Sequence, residues 1–165
     1  QGQPLSDREA AARQGPPQLK EAAAVNAKLV DRTRETAALY FDGVKDDDKP
    51  YALWKAFDKD LARDLSLFIT GQMYAREKIP HRTRQLVTVA ALTVLVRPEE
   101  LKLHLHAALN VGCTPGELAE VIFQTFVYGG MPAANTALKA LQAVLQERGA
   151  WPPAELSAPA GTAGP

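Results

Sequence analysis

Between Thr83 and Val96 the chain leaves itself little freedom: Leu86, Val87, Val89, Ala90, Ala91, Leu92, Val94, Leu95 and Val96 occupy nearly every azimuth of a helical wheel. A helix with no polar stripe has to be packed on every side. The segment is therefore expected at the centre of a bundle, with the rest of the chain around it. Its flanks carry the same periodicity. Residues 20–41 place Val25, Leu29, Val30, Ala37, Tyr40 and Phe41 at helical spacing, and residues 51–74 run Trp54, Phe57, Leu61, Leu65 and Phe68 down one side. No segment alternates as a half-buried strand would.

The punctuation agrees with a run of helices. Gly43 and Asp46-Asp47-Asp48-Lys49-Pro50 read as a solvated loop rather than a cation site, and Pro80 breaks the chain before the apolar segment. Pro98 suits the first turn of the next helix and Gly112 its end. Thr114-Pro115-Gly116-Glu117 is a capping box that opens a fifth helix, closed at Gly129-Gly130; Pro132 starts the last, which runs to about Arg148. The expectation is an all-α, single-domain bundle of about six helices over residues 19–149. Residues 1–18 and 150–165, rich in Pro, Gly and Ala, are expected as flexible tails.

Composition excludes several function classes. The 19 basic and 19 acidic residues cancel, so there is no electrostatic footprint for nucleic acid or an anionic membrane. The longest uncharged run, from Val121 to Leu138, contains Gln, Thr, Asn, Pro and two glycines, and reads as two buried segments about a turn rather than a membrane span. One cysteine, Cys113, cannot make an internal disulfide or a Cys-x-x-Cys centre, and the three histidines show no HxxxH or HExxH spacing. A metal site is therefore the minority reading. A cytoplasmic location is expected, with export the alternative if a signal peptide preceded Gln1.

Glu100 and His104 are the candidate chemical pair. Four residues apart, they stack on one helix face, at the edge of an arc formed by Leu101, Leu105, Ala108 and Leu109, while Lys102, His106 and Asn110 fall on the far side. The wheel turns His104 inward and His106 toward solvent or a neighbouring subunit. An acid and an imidazole beside a core are costly unless paired or used; the plainer reading is a buried histidine bonded to Glu100 for structure alone. Arg84 opens the apolar helix, where a cation is disfavoured by the helix dipole and so points to an anionic ligand. Arg76 and Arg82 carry the same possibility. Gln124 and Tyr128 lie four apart near the end of the fifth helix and suit either a core or a pocket. Asn135 reads as a local cap or a pocket residue. Cys113 reads as a small filler, and Trp54 and Trp151 as packing residues.

Three motifs together resemble the carboxymuconolactone decarboxylase family, closest to its 4-carboxymuconolactone decarboxylase branch: Glu99-Glu100-Leu-Lys-Leu-His104-Leu-His-Ala-Ala, Thr114-Pro-Gly-Glu117-Leu-Ala-Glu120, and Tyr128-Gly-Gly130-Met-Pro132-Ala-Ala-Asn135. Upstream, Gly71-Gln-Met-Tyr74-Ala-Arg76 through Thr83-Arg84 is similar to that branch's G-x-x-W-x-R-P-G-L-x-x-x-T-R segment. The resemblance spans about residues 55–148. It implies an alkyl hydroperoxidase D-like fold, a homotrimer or homohexamer, and cofactor-free loss of CO2 from a carboxylated unsaturated lactone or related acid. The redox branch of the family uses Cys-x-x-Cys-x-x-x-His; with its histidine set on His104, the two thiols would fall on Arg97 and Glu100, so a thiol peroxidase has no electron route here. The resemblance casts His104 as general acid, kept basic by Glu100, with Arg84 completing the catalytic set. Arg76, Arg97, Gln124, Tyr128 and Asn135 become the expected binding residues for a small carboxylated substrate. His106 stands where the family has arginine, Tyr74 where it has tryptophan, and Glu77-Lys78 where it has Pro-Gly. These departures support the alternative, a non-catalytic oligomeric binding protein of the same fold.

Overall fold

The computed structural model describes residues 17–157, which are helical throughout with no strand. Helix α1 spans Pro17–Phe41, and a 3₁₀ turn at Asp46–Asp48 follows. Helices α2 (Ala52–Phe57) and α3 (Lys59–Ser66) lead into a π-helical segment, Leu67–Tyr74. Then come α4 (His81–Val94), α5 (Pro98–Asn110), α6 (Pro115–Glu147) and a single turn, α7 (Ala154–Ser157). Residues 1–16 and 158–165 of the expected tails lie outside the described residues; Pro17 and Gln18 already belong to α1.

The core is the meeting of α4, α5 and α6. Val89 on α4, Leu101 and Leu105 on α5, and Leu118, Ile122, Val144 and Leu145 on α6 are all at most 1% exposed. A smaller cluster, Tyr40, Phe41 and Ala107, joins the end of α1 to α5. Asn110 ties the same corner from its side-chain amide, donating to the carbonyls of Tyr40 and Asp42 at 2.9 Å each.

Local sequence rules explain the ends of these helices. Thr114 accepts from the Glu117 N–H while the Glu117 carboxylate accepts from the Thr114 N–H, a complete capping box. Gly112 has φ 90°, a left-handed conformation that closes α5. Inside α6, Gly130 has φ 79° and ψ 172°, which breaks the helix two residues before Pro132. The expected division at Gly129-Gly130 is therefore a kink in α6.

Two expectations are corrected. Helix α4 is not surrounded: Gln85, Val89 and Thr93 are buried, but Val87 is 61% and Leu95 59% exposed. Within one chain α4 packs chiefly against α5 and α6, and two neighbours cover only part of a helix circumference. The outer face stays apolar and open. Residues 51–74 are likewise not one helix with a buried stripe. Asp58 leaves helical geometry and caps α3, accepting from the N–H groups of Asp60 and Leu61. Beyond it the helix widens to π geometry, and Trp54, Phe57, Leu61 and Phe68 are 46–86% exposed. Trp151, also expected in the packing, is 43% exposed.

The π-helical segment docks on α1. Gly71 is buried, and a Cβ there would run into the Thr33 hydroxyl. The Arg32 Nε donates to the Gly71 carbonyl at 2.8 Å across the same contact. A glycine is what lets the two backbones approach this closely.

Candidate active site

A cavity of about 300 Å³ lies between the end of α1, α2, the π-helical segment and α5. Phe41, Pro50, Trp54, Leu65 and Ile69 form its apolar wall; Tyr51, Tyr74 and His104 are its polar groups. The π geometry matters here. Ile69 and Tyr74 are five residues apart, which an α-helix would turn well away from each other, whereas an i→i+5 helix keeps them on one face.

His104 sits at the inner wall, partly buried as the helical wheel required. Its Nδ1 is 3.1 Å from the Oε1 of Gln85, a fully buried residue on α4. Its ring packs edge-on to Tyr74, centroids 6.0 Å apart. Burial lowers its pKa from 6.5 to about 4, and the Glu100 charge only partly opposes that. The expected pairing is thereby corrected. Glu100 is exposed and acts on His104 only through its charge, which does not offset burial, and the ring is a weak base. A helix four-residue step brings two Cα atoms onto one face, but a glutamate with access to water keeps its hydration.

Tyr74 is half-buried, and desolvation pushes its hydroxyl above the ordinary value while the Arg84 charge pulls the other way. The phenol therefore stays protonated and is a hydrogen-bond donor. Behind it, Arg84 donates from Nη2 to the Arg76 carbonyl at 2.8 Å, and its Nε is buried without a partner. Tyr51 closes the other side, its hydroxyl 3.1 Å from the Thr70 Oγ1.

The remaining expected residues lie elsewhere. Arg76 is exposed and enters the site only through its carbonyl. Arg97 turns back on its own loop, donating to the carbonyls of Leu95 and Val96 at 2.9 and 3.2 Å. That clasp holds a turn in which Val96 has φ 53°, a conformation unfavourable for a β-branched residue. Gln124, Tyr128 and Asn135 are exposed on α6 and do not line the His104 cavity. Arg82 pairs with Glu117 and donates to the Gly112 carbonyl, so its charge is spent joining α4 to the α5–α6 turn. His106 faces Glu147 at 3.2 Å and is only 16% exposed, held within the chain rather than turned to solvent. Cys113 is buried, its thiol raised by desolvation. Among the described residues no three of His, Cys, Asp and Glu gather as a metal site requires.

Gln85, Tyr40 and Tyr51 were not singled out from sequence. Gln85 had a signal: it adjoins the apolar run that begins at Leu86, and a carboxamide buried there must find a partner.

The described residues form an all-helical core in which a histidine of α5 faces a largely apolar cavity and the one cysteine lies buried elsewhere. The chain belongs to the carboxymuconolactone decarboxylase family, whose pattern matches residues 59–143. It is 38% identical over 96 residues to the 4-carboxymuconolactone decarboxylase of Acinetobacter baylyi, covering 58% of this chain and 72% of that protein. It is also 40% identical over 80 residues to an uncharacterized 15.0 kDa protein of the nqo9–nqo10 intergenic region of Paracoccus denitrificans, covering 47% of this chain and 59% of that one. Helix α1 and Tyr40 lie outside the matched region. No described helix is long and apolar enough to cross a membrane.

Proposed function

We propose that the chain is a cofactor-free carboxy-lyase that removes CO2 from a carboxylated unsaturated lactone of the 4-carboxymuconolactone kind. The observation that carries this reading is His104 and Tyr74 together on the wall of an otherwise apolar cavity. Decarboxylation turns a localised carboxylate charge into neutral CO2 and a delocalised dienolate. Poor solvation of the carboxylate by Phe41, Trp54, Leu65 and Ile69 favours that dispersal. The C–CO2 bond breaks, its electron pair spreads to the lactone oxygen, and one proton must then reach carbon. The Tyr74 hydroxyl is placed to donate to the oxygen as charge arrives. His104 takes up a proton at Nε2 once the anionic substrate is beside it, because an adjacent negative charge raises its proton affinity, and hands that proton to carbon. Arg84, behind Tyr74, contributes positive potential at its hydroxyl, and the Glu100 charge raises the proton affinity of the His104 ring.

The experiment is release of CO2 from 4-carboxymuconolactone by purified protein. His104→Ala is expected to lower turnover by about 10²–10⁴-fold, and Tyr74→Phe by about 10²–10³-fold. A wild-type protein that forms no CO2, or a His104→Ala variant with full turnover, would sink the reading.

We further propose that the protein self-associates, as a homotrimer or homohexamer, through the open apolar face of α4 and α6. Gly129 on α6 approaches the Val94 backbone on α4, and Val87, Val94, Phe126 and Val127 on these two helices are all 38–75% exposed. An apolar surface of this kind is costly in water unless covered. Gln124 and Tyr128 share the exposed part of α6 and are placed at such a boundary.

A further inference from the structure

We propose that Gln85 and Tyr40 are positioning residues that set which ring nitrogen of His104 carries its proton, through a buried chain of side chains running from His81 to His104. The inference rests on the acid–base role given to His104 above. Three contacts form the chain. The Tyr40 hydroxyl lies 2.6 Å from the His81 Nδ1, their rings edge-on at 5.2 Å. Gln85 lies one turn beyond His81 on the same face of α4, which brings its carboxamide beside the Tyr40 hydroxyl, with no partner for its Nε2 within hydrogen-bond distance. The other end of that carboxamide, Oε1, lies 3.1 Å from the His104 Nδ1. Tyr40 and Gln85 are both 0% exposed, so water cannot substitute for either partner.

The direction of the chain follows from the chemistry of each group. A carbonyl oxygen only accepts, so Oε1 against Nδ1 requires that Nδ1 carry a hydrogen. With Oε1 on His104, the opposite end of the carboxamide, an N–H donor, is the one left to face Tyr40. Nε2 is thus the end turned to Tyr40; it is buried and short of a full hydrogen bond. With the Tyr40 proton donated to His81, the phenol oxygen is left as the acceptor this N–H needs. Each link then offers an acceptor to the donor before it, whereas the reverse orientation of Gln85 would set its carbonyl against a phenol oxygen whose proton is already given to His81.

The consequence falls on His104. With Nδ1–H held by Gln85, Nε2 is the nitrogen that gains and loses a proton, and the Gln85 carbonyl accommodates the neutral ring and the imidazolium equally. Were the carboxamide reversed, its N–H would meet Nδ1, oppose protonation there, and leave Nε2 already occupied. Tyr40 thus acts at a distance on the reacting histidine, from a helix outside the region shared with the family.

The test is long-range proton–nitrogen correlation NMR on ¹⁵N-histidine-labelled protein near neutral pH, which reads the tautomer of each ring without any substrate. The wild type is expected to show His104 neutral and protonated at Nδ1. Gln85→Leu and Tyr40→Phe are each expected to move it toward the Nε2–H form, and Tyr40→Phe to lower kcat by roughly tenfold or more with little change in KM, since a general acid that must load its proton at Nε2 loses its working nitrogen in the wrong tautomer. A wild-type His104 protonated at Nε2 overturns the proposal with no variant needed. So does a Gln85→Leu protein of native fold in which the Nδ1–H form persists. Because the tautomer is read without turnover, an absence of lyase activity leaves this result independent of the functional reading.

Discussion

At the residue scale the proposed chemistry rests on His104, whose partly buried ring is neutral near pH 7 on the wall of a largely apolar cavity. Its pKa falls from 6.5 to about 4, so between those values the unfolded chain binds a proton that the folded one refuses. Stability contributed by the buried neutral ring is present above 6.5 and is lost as pH falls toward 4, by up to roughly 3 kcal/mol. Denaturant midpoints measured from pH 7 to pH 4 are expected to fall steadily, and less steeply in His104→Phe. Equal slopes in the two proteins would remove the burial argument. The inward turn of His104 was legible from the wheel, because Leu101, Leu105 and Ala108 mark the buried arc of the same helix. Its partner was not. Gln85 lies 19 residues away on another helix, and only the packing of α4 on α5 brings the two within 3.1 Å.

At the element scale, caps and breaks were legible and the π-helical segment was not. Thr114 with Glu117, Gly112 and Gly130 act on their own neighbours, so the chain spells them locally. Asp58 belongs with them: its carboxylate satisfies the N–H groups of Asp60 and Leu61, and Asp58→Ala is expected to lose about 1 kcal/mol by denaturant unfolding. The π geometry of Leu67–Tyr74 arises from docking on α1, where Gly71 meets Thr33. Gly71→Ala is expected to destabilise the protein by about 1–3 kcal/mol, because a methyl group there forces the two backbones apart. It should also weaken substrate binding, since the same segment carries Ile69 and Tyr74 into the cavity. A Gly71→Ala protein as stable as the wild type would show that the contact relaxes freely.

At the scale of the whole molecule, the open apolar face of α4 and α6 is the surface proposed for self-association. Val127 is 75% exposed in the single chain, and Val127→Asp is expected to yield monomers by light scattering while His104 and its cavity keep their arrangement. A wild-type monomer would remove the self-association proposal, and unchanged assembly of Val127→Asp would place the interface elsewhere. The apolar circumference of α4 was read as burial inside one bundle; the folded chain covers only the Gln85–Val89–Thr93 side. The sequence by itself determined what depends on near neighbours: helices with their caps, the inward edge of α5, and the lack of a thiol pair at Arg97 and Glu100. Tertiary structure alone decided what depends on distant ones: that Gln85 and not Glu100 holds His104, that Tyr40 closes a chain from His81, and that Arg97 serves its own turn. Helical periodicity reports which face of a segment avoids water. It carries no record of which other segment meets that face, and the partner of a buried polar group is chosen by that meeting.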